Sequence, residues 1–144
     1  MTPLFQDRFF VPGTAKGKAR PRAVALGKHA RVYPGGADLE WKASIRLAMT
    51  CRIPQEQLTG PVELSLEFQV QRPKSHYGAK GLKPSAPLYC TAKPDLDNSA
   101  GAVMDAITEA GLWRDDALVV TLRAQKRYVV DGEIPGVWIE VEEL

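Results

Sequence analysis

The sequence predicts an α+β fold in which about four strands form one sheet and two helices pack on one sheet face, in the order β-α-β-α-β-β. The clearest observation is segment 62–70, whose apolar residues alternate strictly with polar ones, as in a strand with one buried face. Segments 38–52 and 98–110 instead repeat apolar residues at the spacing of amphipathic helices. A chain of 144 residues suits one compact domain, 1–144.

The other predicted elements follow in chain order. A first strand is expected at 5–11, the first helix at 38–52, and two further strands at 118–128 and 137–141. The helix at 38–52 has one apolar face, formed by Trp41, Ile45, Ala48 and Met49. Turn residues around Val130, Asp131 and Gly132 separate the last two strands, which are therefore predicted to form a hairpin.

The second helix carries the most informative pattern. Its apolar stripe consists of Leu96, Ala100, Val103, Met104 and Ile107. Asp97 or Asn98 is the expected N-cap, because either side chain can accept the unpaired N–H groups of the first turn, and Gly111 is the expected residue after the last turn. The helix is therefore predicted over 98–110, entered from an extended segment at Pro94.

Two pairs of carboxylates flank this helix. Asp95 and Asp97 precede it, and Asp115 and Asp116 follow it. Mg²⁺ binds oxygen ligands, and carboxylates crowded together repel one another unless a cation joins them. The spacing therefore suggests a metal site if the helix folds back beside the next strand. From spacing alone, a role as ordinary turn and cap residues is equally compatible, because Asp-x-Asp is a short and common pattern.

The segment 93–120, KPDLDNSAGAVMDAITEAGLWRDDALVV, resembles the signature of the RusA family of Holliday junction resolvases, endonucleases common in prophages. Both aspartate clusters and the Gly-x-Trp-x-Asp-Asp segment coincide with it in order and spacing. The resemblance implies a Mg²⁺-dependent endodeoxyribonuclease, with Mn²⁺ able to substitute, that hydrolyses phosphodiester bonds at four-way junctions in DNA recombination and repair. It implies Asp95, Asp97 and Asp116 as the metal-binding catalytic carboxylates, Asp115 as an indirect contributor, and a homodimer matching the two-fold junction.

One position departs from the family pattern. The motif usually has a lysine, implicated in catalysis, four residues after the second aspartate, where this chain has Gly101. Lys93 is the first candidate for the missing catalytic cation and Lys126 the second, and Gly101→Lys is predicted to raise the cleavage rate. The glycine keeps open a second interpretation, a junction-binding protein with weak catalysis. A third, an Asp-x-Asp nucleotide-sugar transferase, is disfavoured because the chain is short and lacks a Gly-rich phosphate loop.

The positive charge is concentrated although the net charge is only +2. Segments 12–34 and 71–94 are rich in Gly and Pro and contain basic but no acidic residues, so they are predicted to be long loops on the DNA side of the molecule. Solvated surface loops are the alternative. The candidate DNA-binding residues are Lys16, Lys18, Arg20, Arg22, Lys28, Arg31, Arg72 and Lys74.

Several classes are disfavoured by composition. The apolar residues at the N-terminus are interrupted by Asp7 and Arg8, and the sequence has no apolar run near 18 residues, so a cytoplasmic protein without membrane contact is expected. Cys51 and Cys90 have no metal-ligand spacing and are expected to be reduced thiols. No organic cofactor is expected.

Overall fold

The computed structural model describes residues 4–18, 22–26, 29–33 and 38–144, and for residues 22–26 and 29–33 it describes the backbone alone. The strands are β1 (Gln6–Pro12), β2 (Arg22–Leu26), β3 (His29–Tyr33), β4 (Val62–Val70), β5 (Tyr77–Gly78), β6 (Gly81–Leu82), β7 (Val119–Tyr128) and β8 (Gly136–Glu143). The α-helices are α1 (Leu39–Met49) and α2 (Leu96–Ala110), and short 3₁₀ turns cover Lys74–His76 and Asp116–Leu118. Neither α-helix of this described part is long and apolar enough to cross a membrane.

Four strands form the main sheet in the order β1-β8-β4-β7. Strand β4 pairs in parallel with β7 and antiparallel with β8, and β1 pairs antiparallel with β8. Alternate residues of β4 are buried, and they join both helices in one hydrophobic core. Its members include Leu64, Leu66 and Phe68 from β4, Trp41 and Ile45 from α1, and Val103 and Ile107 from α2. The predicted α+β arrangement, with a four-stranded sheet and two helices on one face, is confirmed.

The predicted hairpin between the last two strands is wrong. Strand β4 lies between β7 and β8, so these two strands are not neighbours. Because α2 joins β4 to β7 as a parallel crossover, β7 is added at one edge of β4 and leaves the other edge for β8. The connection 129–135 crosses the end of β4, where the N–H of Val129 donates to the carbonyl of Val70 at 3.0 Å.

Two local predictions also need correction. Helix α2 begins at Leu96, with Asp95 in the N-cap position, because Asp95 has an extended conformation and the chain turns into the helix directly after it. The expected ending is confirmed, since Gly111 has φ of 92° and its N–H donates to the carbonyls of Ile107 and Thr108. The basic segments, predicted to be long loops, contain two short hairpins, β2–β3 and β5–β6. The sequence did not predict them because strands of two to five residues are too short to give a detectable period.

Candidate active site

The first two aspartates lie where α2 begins. Asp95 is exposed and receives a 2.6 Å contact on Oδ1 from Nζ of Lys93. Asp97, in the first turn, is exposed as well, and its Oδ1 accepts the N–H of Asn98 at 2.8 Å. The preceding segment is fixed by Lys126, whose ammonium donates to the carbonyls of Ala92 and Pro94. Both carboxylates therefore face solvent from an anchored helix N-terminus.

A buried tryptophan fixes the second aspartate pair against the same helix. Trp113 has no exposed surface, and its indole N–H donates to Oγ1 of Thr108 on α2 at 2.7 Å. The N–H of Leu58 donates to the carbonyl of Leu112 at 2.9 Å, so the turn after α2 is held on two sides. Asp115 and Asp116 follow directly, and the carboxylate of Asp115 accepts the N–H of Ala117 at 2.9 Å.

Asp116 is surrounded by other carboxylates. Burial raises its pKa, the charge and hydrogen bond of Asp115 raise it further, and the charge of Asp105 adds to the effect. The positive charge of Lys18 opposes the rise. A cavity of about 390 Å³ lies here, lined by Asp105, Thr108, Glu109, Arg114, Asp115 and Asp116. Crowding of this kind would be relieved by a bound cation.

The donor set suits a hard divalent cation, because it consists of carboxylate oxygens. Among the described residues, however, no three His, Cys, Asp or Glu side chains are close enough together to hold one ion. The structure brings Asp116 beside Asp105 and Asp115, whereas Asp95 and Asp97 lie at the start of α2. The joint metal site of Asp95, Asp97 and Asp116 therefore stays a prediction.

Lys18 precedes β2 in the chain and contacts α2, rather than lying in an open loop. Its Nζ is 3.3 Å from Oδ2 of Asp105, and its backbone N–H donates to the carbonyl of Asn98 at 3.1 Å. Lys18 is one of the residues predicted from the sequence to bind DNA, whereas Asp105 is not among the predicted site residues. The available signal was the four-residue spacing of Asp97, Gly101 and Asp105, which puts these three positions on one side of α2.

Lys16 and Lys93 lie beside a second cavity, of about 420 Å³, next to the start of α2. Lys126 also contributes to its wall, together with Ser99 of α2 and Phe68 of β4. The cavity thus combines three basic side chains with apolar surface. This composition suits a sugar–phosphate backbone carrying bases.

The other candidate DNA-binding residues divide into three groups. Lys74 is exposed in the 3₁₀ turn before β5. Arg72 is only 5% exposed, and its guanidinium donates to the carbonyls of Val129 and Pro87, each at 2.7 Å. Nε and one terminal nitrogen of Arg72 are therefore engaged by protein carbonyls, and its contact with DNA stays a prediction. The side chains of Arg20, Arg22, Lys28 and Arg31 lie outside the described residues.

Comparison with known proteins identifies the family. The model of the endodeoxyribonuclease RusA family matches residues 12–142. This chain belongs to the RusA family. It is 29% identical over 140 residues to YqaN of Bacillus subtilis strain 168, a protein described as uncharacterised, and the match covers 95% of this chain and 96% of that protein.

Crossover junction endodeoxyribonuclease RusA itself matches over a shorter stretch. The enzymes of Escherichia coli strain K12 and of Shigella sonnei strain Ss046 are each 53% identical to this chain over 38 residues. The match covers 26% of this chain and 32% of each enzyme. The chain is thus similar to these nucleases across about a third of their length.

Proposed function

We propose that this protein is a Mg²⁺-dependent endodeoxyribonuclease that cleaves four-way DNA junctions in recombination and repair. The observation that carries the proposal is the arrangement around α2. Asp95 and Asp97 are exposed at the start of this helix, and Asp116 is held beside it by the turn that Trp113 anchors. The proposal therefore assigns metal binding and catalysis to these three aspartates.

The chemistry follows from the charge at the site. When bound, a divalent ion supplies Lewis-acid polarisation of the scissile phosphate and a hydroxide at neutral pH. Asp95, Asp97 and Asp116 would hold it, and Asp115, which caps the next 3₁₀ turn, keeps the backbone of Asp116 in place. The basic wall formed by Lys16, Lys93 and Lys126 would bind neighbouring phosphates.

The test is cleavage of labelled DNA. A four-way junction, a linear duplex of the same sequence and a single strand are each incubated with Mg²⁺, Mn²⁺ or EDTA. We expect paired cuts in the junction with either metal and none with EDTA. Asp97→Asn should remove cleavage while junction binding in EDTA persists, and Asp131→Asn, at an exposed position in the connection between β7 and β8, serves as the charge-matched control.

The result also separates the proposal from its alternatives. Equal cleavage of junction and duplex would contradict junction selectivity. Cleavage by Asp97→Asn at the wild-type rate would contradict the assignment of Asp97 to metal binding and catalysis. A second candidate function, junction binding with weak catalysis, is favoured by one observation: Gly101 lies on the helix side that bears Asp97 and supplies no side chain. Tight metal-independent junction binding without detectable cuts would support it.

The proposal includes a homodimer. Resolution of a two-fold symmetric junction requires two matched cuts, and a closed two-fold dimer carries two equivalent sites. Light scattering should give the mass of two chains for the protein alone, and the mass of two chains plus one junction for the complex. A monomer in both conditions would contradict this part of the proposal without affecting the assignment of the aspartates.

A further inference from the structure

Lys18, from the segment before β2, lies beside Gly101, a position on α2 that has no side chain. Asp97, Gly101 and Asp105 follow one another at intervals of four residues, close to one helical turn, so they lie along one line of the helix surface. A Cβ atom on Gly101 would be 3.8 Å from Cδ of Lys18, which is ordinary van der Waals contact. The aliphatic part of Lys18 therefore lies directly beside the place where a side chain at position 101 would begin.

The segment before Lys18 is fixed on the first turn of α2. The N–H of Lys18 donates to the carbonyl of Asn98 at 3.1 Å. Gly17 approaches Asn98 so closely that a Cβ on Gly17 would be 2.4 Å from Nδ2 of Asn98. A residue with a side chain at position 17 would displace that amide. The backbone is therefore held, and it directs the side chain of Lys18 along the line of Asp97, Gly101 and Asp105.

The ammonium of Lys18 remains available to a ligand. Its nearest partner is Oδ2 of Asp105 at 3.3 Å, and its side chain is 53% exposed. The two lysines expected to serve as the cation are engaged differently: Lys93 pairs with Asp95 at 2.6 Å, and Lys126 donates to two backbone carbonyls. An ion pair at an exposed position is weak, so a DNA phosphate can replace Asp105 as the partner of Lys18.

We propose that Lys18 is a catalytic residue whose ammonium contacts the scissile phosphate and neutralises the negative charge that develops during cleavage. The inference rests on the proposed nuclease function. A well-placed cation in this role is typically worth a factor of about 10² to 10³ in rate. Lys18 thereby supplies from the segment before β2 the positive charge that α2 does not carry at Gly101.

The test uses single-turnover cleavage of a four-way junction by Lys18→Met and Lys18→Arg. Methionine keeps the apolar contact over Gly101 but has no charge, so its rate should fall about 100-fold, whereas arginine should retain a larger share of the rate. Arg123→Ala is the matched control. Arg123 is 73% exposed and pairs with Glu63 as Lys18 pairs with Asp105, but it lies on the sheet face away from the helices, so its rate should stay within about twofold of wild type.

A second readout does not depend on cleavage. Junction affinity is measured in EDTA at several salt concentrations, and loss of one phosphate contact should flatten the slope of log affinity against log salt by about 0.9. We expect this change for Lys18→Met and an unchanged slope for Arg123→Ala. A purely structural role of Lys18 would leave the slope unchanged.

Position 101 gives a reciprocal test. A lysine introduced at Gly101 would begin next to the side chain of Lys18, so Gly101→Lys should restore much of the lost rate in the Lys18→Met background and add little when Lys18 is present. Wild-type rate and salt slope in Lys18→Met would overturn the proposal while the nuclease function stood. Absence of metal-dependent cleavage by the wild-type protein would overturn both.

Discussion

The two sides of this molecule handle their charges in opposite ways. On the sheet face away from the helices, here called the far face, acids and bases alternate and pair: Arg123 with Glu63 at 2.7 Å, and Arg127 with both Glu67 and Glu133 at 2.6 Å. Beside α2, by contrast, Asp116 has carboxylates as its neighbours, and they raise its pKa. The named charges of the far face are paired with opposite charges, whereas the carboxylate of Asp116 lies beside like charges.

This difference distinguishes structural charges from functional ones. Two hydrogen bonds from Arg127 to Glu133 lower the pKa of the Glu133 carboxyl to about 2, so the folded state favours its ionised form. Repulsion among the carboxylates near Asp116 opposes folding, and a bound cation would relieve it. Substitutions on the far face should therefore affect stability, and those beside α2 should affect activity.

The largest expected effect is on cleavage. Asp116→Asn should reduce metal-dependent junction cleavage by about 10³-fold, because a neutral amide binds a divalent ion poorly and contributes no charge to the site. Stability should be unchanged or higher, since burial and Asp115 oppose ionisation at this position. Cleavage rate and urea denaturation of the same preparation test both statements. A large loss of stability would show that Asp116 stabilises the fold, which would contradict the contrast between the far face and the α2 side.

The counterpart is Glu133→Gln, in the connection 129–135, where Glu133 pairs with Arg127 of the far face. Its carboxylate accepts two hydrogen bonds from Arg127, at 2.6 and 2.7 Å, and a third from the N–H of Val130 at 2.8 Å. Loss of these charge-assisted bonds should lower the free energy of unfolding by about 1.5–3 kcal/mol. Cleavage at a temperature where the variant is folded should match wild type. A matching loss of cleavage would mean that the two sides are coupled.

The stabilising effect of Glu133 should depend on pH. Its folded-state pKa is lowered from 4.5 to about 2, so the stabilisation is fully present above pH 4.5 and is lost as the pH falls from 4.5 toward 2. The difference in free energy of unfolding between wild type and Glu133→Gln should therefore narrow across that window. Urea midpoints at about pH 6 and about pH 3 measure it. An equal difference at both values would contradict this account.

The elements that were predicted correctly from the sequence are those that depend on local periodicity. The alternation along β4 and the three- and four-residue spacing of α2 appear in the structure because each needs only one element to bury its apolar residues. Gly111 ends α2 as expected because a left-handed conformation favours glycine. The RusA-like segment was recognisable for the same reason, since both aspartate clusters lie within 22 positions, from Asp95 to Asp116.

Long-range pairing could not be predicted in the same way. Strands β7 and β8 are close in sequence but separated in space, because β4 needs a partner on each edge. The position of Lys18 on α2 depends on a contact across about 80 residues, which no local pattern encodes. A count of basic residues likewise cannot distinguish Arg72, which is buried against backbone carbonyls, from an exposed lysine such as Lys74.

The smallest expected effect tests whether repulsion beside α2 is real. In Asp115→Asn, the amide oxygen can still accept the N–H of Ala117, so the 3₁₀ turn is kept while one negative charge next to Asp116 is removed. The free energy of unfolding without metal should rise by about 0.5 kcal/mol, the scale of one exposed charge pair. Glu63→Gln is the matched control on the far face, where the carboxylate pairs with Arg123, and it should leave stability unchanged or lower it. Urea denaturation at low ionic strength measures both, and added salt should shrink the gain because screening weakens the repulsion. Destabilisation by Asp115→Asn would mean that the hydrogen bond from Ala117 to the Asp115 carboxylate stabilises the fold more than its repulsion of Asp116 destabilises it. Repulsion between these two carboxylates would then not be the dominant effect beside α2.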